Sequence, residues 1–214
     1  MLLILTGEIQ IGKTRWLQGL VSQLQEEGVF VSGVVAPGIW VERPDGQMGT
    51  AADRGMAGEG RFEKLGINNL LLPQGQLVPF ARRRDLSQAE GTEHQDSQSA
   101  RAQLGWDIDD AAIAQVNAHF DQLAKGPAPE DPGMLVVDEL GRLELMRGEG
   151  LTSALDALSA GPSPLAAHAL VVVREGLLDL ALQTAAQRFS LWGEAKPISP
   201  GDDATQLIRS LLWT

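Results

Sequence analysis

Residues 7–14 read G-E-I-Q-I-G-K-T and directly follow the apolar run L-L-I-L at residues 2–5. The stretch matches the pattern G-x-x-x-x-G-K-[ST] of a phosphate-binding loop, at the end of a strand and the start of a helix, as that motif requires. In such a loop, backbone N–H groups and the start of the following helix favour an anion. Lys13 adds a positive charge for the terminal phosphates, and Thr14 offers a hydroxyl to Mg²⁺. The motif therefore predicts binding of a nucleoside triphosphate.

The residues after this loop favour a helix. Its apolar residues recur at helical spacing: Trp16, Leu17, Leu20, Val21 and Leu24. Gly28 provides a stop for the helix. The alternative interpretation is a glycine-rich turn between a strand and a helix with a solvated lysine, and the position of the motif favours the phosphate-binding loop over it.

Composition narrows the class of protein. A length of 214 residues suits one α/β domain with an insertion. The net charge of −11 argues against nucleic-acid or membrane partners, which favour basic surfaces. The chain has no cysteine, and its three histidines show no metal-ligand spacing, so disulfides and a zinc site are not expected. The apolar start of the chain is too short to span a membrane and lacks a basic leader, which predicts a cytoplasmic protein.

Strands that alternate with helices predict an α/β fold, here a P-loop NTPase three-layer fold with a mostly parallel central sheet and helices on both faces. A single domain over residues 1–214 is expected. The predicted strands cover residues 1–6, 29–36, 134–137, 169–173 and 195–199. The predicted helices cover residues 14–27 and 175–182 and further stretches that begin near Asp109, Leu151 and Ala204.

The pattern changes over residues 38–80. Turn signals at residues 44–46 and 73–75 predict two hairpins that form a small antiparallel excursion from the main sheet. Residues 85–103 are polar with almost no apolar side chains, so a mobile loop is expected there. Asp109 is expected to cap the next helix, and His119 lies off the apolar stripe of that helix, which predicts a surface position.

A second motif is the apolar strand at residues 134–137, which ends in Asp138 and Glu139. Parallel strands bind ligands at their carboxyl ends, so these carboxylates are expected beside the phosphate-binding loop. Asp138 would hold Mg²⁺, directly or through water, and Glu139 would orient and deprotonate the water that attacks the γ-phosphate. The alternative for Glu139 is a structural role, accepting backbone N–H groups in the following turn.

The stretch D-E-L-G-R-L-E-L at residues 138–145 resembles the D-E-[IV]-G-[KR]-[ML]-E-L signature of a small nucleoside-triphosphatase family. That family is known in animals as cancer-related NTPase and is present in thermophilic archaea and bacteria. The resemblance covers most of residues 1–175, including Gly33 before the excursion and the G-W-D segment at residues 105–107. It implies slow hydrolysis of nucleoside triphosphates with broad tolerance of the base.

This chain departs from the family pattern at several positions, in the manner of a diverged bacterial branch. The phosphate-binding loop of the family carries more glycine, where this chain has Glu8, Gln10 and Ile11. The excursion is longer, and residues 85–103 look inserted. The departures leave open whether hydrolysis is the purpose of the protein.

Several arginines and tryptophans are secondary candidates. Arg174 follows the predicted strand at residues 169–173 and could sense the γ-phosphate or contact the base. Arg142 could reach a phosphate or pair with Glu144 or Glu149. The run at residues 82–84 could clamp an anion, although a solvated loop is favoured. Three tryptophans could stack on a base, but core packing is expected for each of them: Trp40, Trp106 and Trp192.

The leading functional hypothesis is a Mg²⁺-dependent nucleoside-triphosphatase acting on ATP or GTP. The alternatives are a nucleotide-gated adaptor with slow hydrolysis, related to cofactor or metal handling and bound to an unidentified protein partner, and, less favoured, a nucleotide or small-molecule kinase. The predicted catalytic residues are Glu139 and Lys13, and the predicted metal ligands are Thr14 and Asp138. The predicted nucleotide-binding residues are Gly7, Glu8, Ile9, Gln10, Ile11, Gly12, Lys13, Thr14, Arg15 and Arg174.

Overall fold

The computed structural model describes residues 1–43, 62–131 and 133–213. The strands are β1 (Leu2–Leu5), β2 (Val31–Val35), β3 (Gly38–Glu42), β4 (Phe62–Leu72), β5 (Gln76–Arg83), β6 (Trp106–Ile108), β7 (Gly133–Val137), β8 (Ala166–Val172) and β9 (Lys196–Ile198). The α-helices are α1 (Lys13–Glu26), α2 (Arg84–Glu90), α3 (Gln98–Arg101), α4 (Asp110–Lys125), α5 (Thr152–Ala160), α6 (Leu178–Arg188) and α7 (Asp202–Leu212). A π-helical turn covers Leu143–Arg147.

Half of the sheet is parallel, which is less than the mostly parallel sheet that the sequence predicts. Strands β2, β7, β8, β1 and β9 lie side by side in this order, and all four pairings are parallel. The register aligns Leu5 with Val172 and Val137 with Val171, so β1, β7 and β8 end at one edge. The phosphate-binding loop, Asp138 and Arg174 each follow one of these strands. The topology therefore brings the two sequence motifs to the same edge.

The other half of the sheet is antiparallel. Strand β4 pairs with β2, and β5 and β6 continue outward, while β3 also pairs with β4. The hairpin predicted around residues 73–75 is confirmed by the pairing of β4 with β5. Its strands extend the main sheet instead of leaving it, because β4 continues the hydrogen-bonding ladder of β2. The other predicted turn, at residues 44–46, lies outside the described residues.

Helices pack on both faces of the sheet, as predicted. Apolar residues of α1 and α7, including Leu17, Leu24 and Ile208, form one buried cluster with the sheet. On the opposite face, α4, α5 and α6 contribute a second cluster that contains Phe120 and Leu155. No helix in the described part of the chain is both long and apolar enough to cross a membrane.

The segment at residues 85–103 is not a loop, and that prediction is wrong in its secondary structure. It contains most of α2 and all of α3. Hydrogen bonds of polar groups anchor it in place of apolar contacts. The Ser99 hydroxyl accepts from the Ile108 N–H at 2.9 Å, and the buried Asp107 carboxylate accepts from the His94 N–H at 3.2 Å. Low apolar content therefore did not imply a lack of ordered contacts.

The prediction that His119 lies on the surface is also wrong. His119 is buried on α4, and its Nε2 donates to the carbonyl oxygen of Gly33 at 3.1 Å. Burial lowers the pKa of His119, which favours the neutral ring. Gly33 has a φ of 108°, and a Cβ there would lie 2.0 Å from the carbonyl oxygen of Val136, so only glycine fits between β2 and β7. The spacing of three residues from the buried Val116 was the signal for burial of His119.

Candidate active site

The phosphate-binding loop connects β1 to α1. Gly7 and Gly12 have φ values of 141° and 96°, which explains why the motif needs glycine at these positions. Gly12 caps α1, so Lys13 is the first residue of the helix. The side chain of Glu8 is exposed, in line with its expected tolerance beside an anion site. The predicted strand-loop-helix arrangement is confirmed.

Lys13 folds back over its own loop. Its Nζ donates to the carbonyl oxygen of Gly7 at 2.7 Å and to that of Glu8 at 2.8 Å. Burial lowers the pKa of Lys13, and the nearby carboxylates of Glu139 and Asp138 act in the opposite direction. The ammonium group is therefore held over the loop, where an anion bound by the loop would meet it.

Thr14 and Asp138 meet, as their motifs predict. The Thr14 hydroxyl donates to Oδ1 of Asp138 at 3.4 Å, and the Ala36 N–H donates to Oδ2 at 2.9 Å. Burial raises the pKa of Asp138 to about 6, and the neighbouring charge of Glu139 adds to this shift. One carboxylate and one hydroxyl suit Mg²⁺, which takes its other ligands from phosphates and water. The buried carboxylate also lacks a cationic hydrogen-bond partner within the described residues, which fits a site for a cation.

Glu139 adopts a left-handed backbone conformation with a φ of 72°. Its Oε1 pairs with Arg174, at 2.6 Å from Nε and 2.5 Å from Nη2. The alternative role considered for Glu139 was to accept backbone N–H groups of the following turn. Glu144 fills that role instead. Oε2 of Glu144 accepts from the Gly141 N–H at 2.9 Å, and Oε1 accepts from the Leu151 N–H at 3.0 Å. Glu139 is left with its carboxylate at the edge of the sheet beside Arg174.

Lys64 is a site residue that sequence reasoning missed. It lies on β4, with its Nζ 5.9 Å from the centroid of the Trp40 ring and 5.2 Å from that of Trp106. Burial lowers the pKa of Lys64, while the carboxylates of Glu139 and Asp138 raise it. An isolated lysine in the sequence gives no sign of a role in the site. Lys64 reaches the cleft because β4 pairs with its neighbours in the sheet.

A cleft of about 560 Å³ brings these groups together. Five residues of the loop line it: Ile9, Gln10, Gly12, Lys13 and Thr14. Arg15, which directly follows the loop, lines it as well. Asp138, Glu139, Arg174 and Lys64 line it too. Among the predicted binding residues, Gly7, Glu8 and Ile11 are not part of this lining in the described structure.

The arginine run at residues 82–84 does not reach the cleft. Arg82 pairs with Glu90, Arg83 with Glu63, and Arg84 with Glu93. The first pair joins β5 to α2, the second joins β5 to β4, and the third joins the start of α2 to the segment that follows it. These contacts make both an anion clamp and a solvated loop incorrect for this run.

The remaining candidates separate by burial. Trp106 and Trp192 are buried as expected, and Trp192 Nε1 donates to the carbonyl oxygen of Leu158. Trp40 is 43% exposed and lines the cleft, so core packing is the wrong prediction for this residue. Arg142 forms neither ion pair considered for it, because Glu149 pairs with Arg147 and Glu144 binds backbone N–H groups.

Comparison with solved structures supports the fold. The chain is similar to a structure described as the solution structure of a human cancer-related nucleoside triphosphatase, with a TM-score of 0.56 and 17% identity. The similarity covers 99% of this chain and 95% of the other. No family model matches the sequence, and no curated protein matches it significantly. The chain therefore shares an α/β fold with a nucleoside triphosphatase, at an identity that shows the fold alone.

Proposed function

We propose that this protein is a Mg²⁺-dependent nucleoside-triphosphatase that converts a nucleoside triphosphate to the diphosphate and phosphate. The observation that carries the proposal is the meeting of Lys13, the Thr14–Asp138 pair and Glu139 in one cleft. This is the set of groups that phosphoryl transfer needs for positioning and charge neutralisation. The fold shared with a nucleoside triphosphatase supports the same class of reaction.

Binding is assigned to the loop and its lysine. The loop N–H groups and the start of α1 would hold the phosphates, and the Lys13 ammonium would exchange its contacts with Gly7 and Glu8 for phosphate oxygens. Thr14 and Asp138 would hold Mg²⁺, which when bound neutralises charge on the phosphates. Binding of a cation there also offsets the cost of an ionised, buried Asp138.

Glu139 is assigned as the general base. It would take a proton from water while the water oxygen bonds to the γ-phosphorus and the nucleoside diphosphate leaves with the electrons of the broken P–O bond. Arg174 pairs with this carboxylate. A bound γ-phosphate would compete for the guanidinium, and the competition would release Glu139 and add a positive charge to the reacting phosphate.

Phosphate release with Mg²⁺ and a panel of nucleoside triphosphates tests the proposal, with no acceptor or partner added. Glu139→Gln should retain nucleotide affinity and lower turnover about a hundredfold. Lys13→Ala should weaken binding of a fluorescent nucleotide by about tenfold or more while the fold is kept. Parental turnover in Glu139→Gln would contradict the assignment of the base, and parental affinity in Lys13→Ala would contradict the phosphate site.

The same measurement distinguishes an enzyme from a nucleotide-gated adaptor. An enzyme should turn over without a partner at about 1 s⁻¹ or modestly below, near the low end of ordinary enzymes. Tight nucleotide binding with negligible release of phosphate would favour a nucleotide-gated adaptor.

A further inference from the structure

A second cavity, of about 840 Å³, opens beside the cleft on the side of the antiparallel strands. Its volume is in the range of about 300–1,000 Å³ typical of small-molecule sites. Strands β4, β5 and β6, helix α4 and the segment after β7 line it, largely with apolar side chains: Ile67, Phe80, Trp106, Ile108, Ile113 and Leu143. We call it the apolar cavity. Trp106, Asp138, Glu139 and Arg174 line both the apolar cavity and the cleft.

The order of groups along the phosphate-binding loop places this cavity beyond the γ-phosphate. The lysine of the motif contacts the β- and γ-phosphates, while the loop cradles the α- and β-phosphates. Arg15 and Gln18, which follow the loop on α1, line the cleft and not the apolar cavity. The sugar and base would therefore extend toward Arg15, away from Glu139. The apolar cavity is left for another molecule.

The polar groups of the cavity wall restrict the class of ligand that fits it. Asn69 is 2% exposed, and its Nδ2 has no hydrogen-bond partner in the described structure. A buried donor without a partner costs about 1–3 kcal/mol, so an acceptor atom on a ligand would remove a standing cost. Arg142 is exposed at the rim, but carboxylates outnumber cations in the wall, so its charge does not favour an anionic ligand, and the apolar lining fits a neutral one. The carboxylates are those of Glu8, Asp138, Glu139, Glu144 and Glu175.

Hydrolysis of a nucleoside triphosphate does not by itself require an apolar cavity beside the nucleotide cleft. Water needs no apolar cavity of this size, whereas a ring compound would be bound by its apolar wall. A site that transfers a phosphoryl group to an organic acceptor gains from such a wall, because excluding water suppresses hydrolysis. Glu139, shared by both spaces, is placed to serve either acceptor.

We propose that the apolar cavity binds a second substrate, a neutral ring-bearing alcohol of nucleoside size that accepts the γ-phosphoryl group. The proposal rests on the proposed nucleotide site. The acceptor hydroxyl gives its proton to Glu139, its oxygen bonds to the γ-phosphorus, and the bond from that phosphorus to the β,γ-bridging oxygen breaks. The products are a phosphate monoester and a nucleoside diphosphate.

The test uses the full chain with Mg²⁺, γ-labelled ATP or GTP, and a panel of ring-bearing alcohols consisting of the five common nucleosides and pyridoxine. At least one compound should carry the label and raise formation of nucleoside diphosphate about tenfold or more above the rate with water. That compound should also raise the thermal midpoint without nucleotide. If no compound becomes labelled, or if labelled phosphate appears only as inorganic phosphate, the proposal is overturned.

Two variants of neighbouring residues locate the acceptor. Asn69→Leu should lower transfer to the labelled compound about tenfold or more, because the ligand loses one hydrogen bond. It should keep or raise thermal stability, because an unpaired buried amide is replaced by an apolar group of similar shape. Asn68→Leu, on the same strand but facing the other side of the sheet, is the matched control and should retain transfer. Equal transfer in both variants would overturn the assignment to the apolar cavity, as would competition of the compound with nucleotide binding.

The same experiments distinguish failure of the proposed nucleotide hydrolysis from failure of the proposed acceptor site. If phosphate release without acceptor is absent while a panel compound still stabilises the wild-type chain and not Asn69→Leu, the proposed hydrolysis is overturned and the assignment of the apolar cavity as a ligand site stands.

Discussion

The ammonium group of Lys64 faces two indole rings and shares the cleft with Lys13, Asp138 and Glu139. A cation held in this way is oriented before the substrate arrives. Such preorganised charge stabilises a transition state without reorganisation during the reaction. Lys64 is therefore expected to act on the reacting phosphate, in addition to the lysine of the motif.

We predict that Lys64→Met lowers kcat about 10- to 100-fold and changes KM little, because it removes one preorganised positive charge from the site. Steady-state kinetics of phosphate release measure both parameters. Lys125→Met, at the exposed end of α4, is the matched control and should behave as the parent. Parental kcat in Lys64→Met would show that the lysine only packs on the tryptophans.

Asp138 gives a prediction about pH. Burial raises its pKa in the folded protein to about 6, above the ordinary value of 3.8. Because the folded state holds this proton more tightly than the unfolded state, the contribution to stability falls as the pH rises from about 4 to about 6. Asp138→Asn should therefore raise the free energy of unfolding at pH 7.5 by up to about 3 kcal/mol, with no gain at or below pH 4.

Urea unfolding in EDTA, without nucleotide, measures this difference. Asp156→Asn changes an exposed carboxylate that pairs with Arg188, and it should alter stability by less than about 1 kcal/mol. A loss of stability in Asp138→Asn at pH 7.5 would contradict the burial argument. Asp138→Asn should also weaken the dependence of nucleotide binding on Mg²⁺.

At the scale of elements, the segment at residues 85–103 depends on buried hydroxyl and carboxylate groups. Ser99 accepts from the Ile108 N–H and from Nη2 of Arg84, and it lies fully buried. We predict that Ser99→Ala costs about 1–3 kcal/mol, because both donors lose their acceptor. Ser87→Ala, in the same segment, is the matched control, since the Ser87 hydroxyl is buried and has no hydrogen-bond partner among the described residues. Urea unfolding of both variants measures the difference.

The same contacts predict that limited proteolysis of the parent does not cut first within residues 85–103. First cleavage there without ligand would restore the mobile loop that the sequence predicts. Protection that appears only with nucleoside triphosphate would instead identify the segment as a lid.

At the scale of the whole molecule, nucleotide binding should appear as thermal stability. With Mg²⁺ and a triphosphate at one hundred times Kd, binding adds about 2.7 kcal/mol. For a chain of this size, the thermal midpoint should rise by about 5–10 °C. Lys13→Ala should show at most about half of this rise at the same concentration, because its binding is about tenfold weaker or more. Lys196→Met, on the exposed edge strand β9, should keep the full rise. An equal rise in Lys13→Ala would contradict nucleotide binding at the loop.

Much of the architecture could be predicted from local pattern. Two segments can be recognised from the sequence because each depends on only a few adjacent residues. They are the loop at residues 7–14 and the strand before Asp138. The same holds for α1 and α4, and Asp109 caps α4 as expected, accepting from the Ala111 N–H. Since parallel strands end together, the sequence also predicts that Asp138 lies beside the loop.

The rest was decided by contacts between residues distant in the chain. Lys64 enters the cleft because β4 pairs with β2, and Asn69 lines a cavity that exists only once α4 packs over β4 and β5. His119 and Ser99 are buried because a carbonyl or an N–H from another element completes their hydrogen bonds. Hydropathy measures a residue's own affinity for water, whereas burial of a polar group depends on the partner that replaces the water, and that partner is set by the tertiary structure.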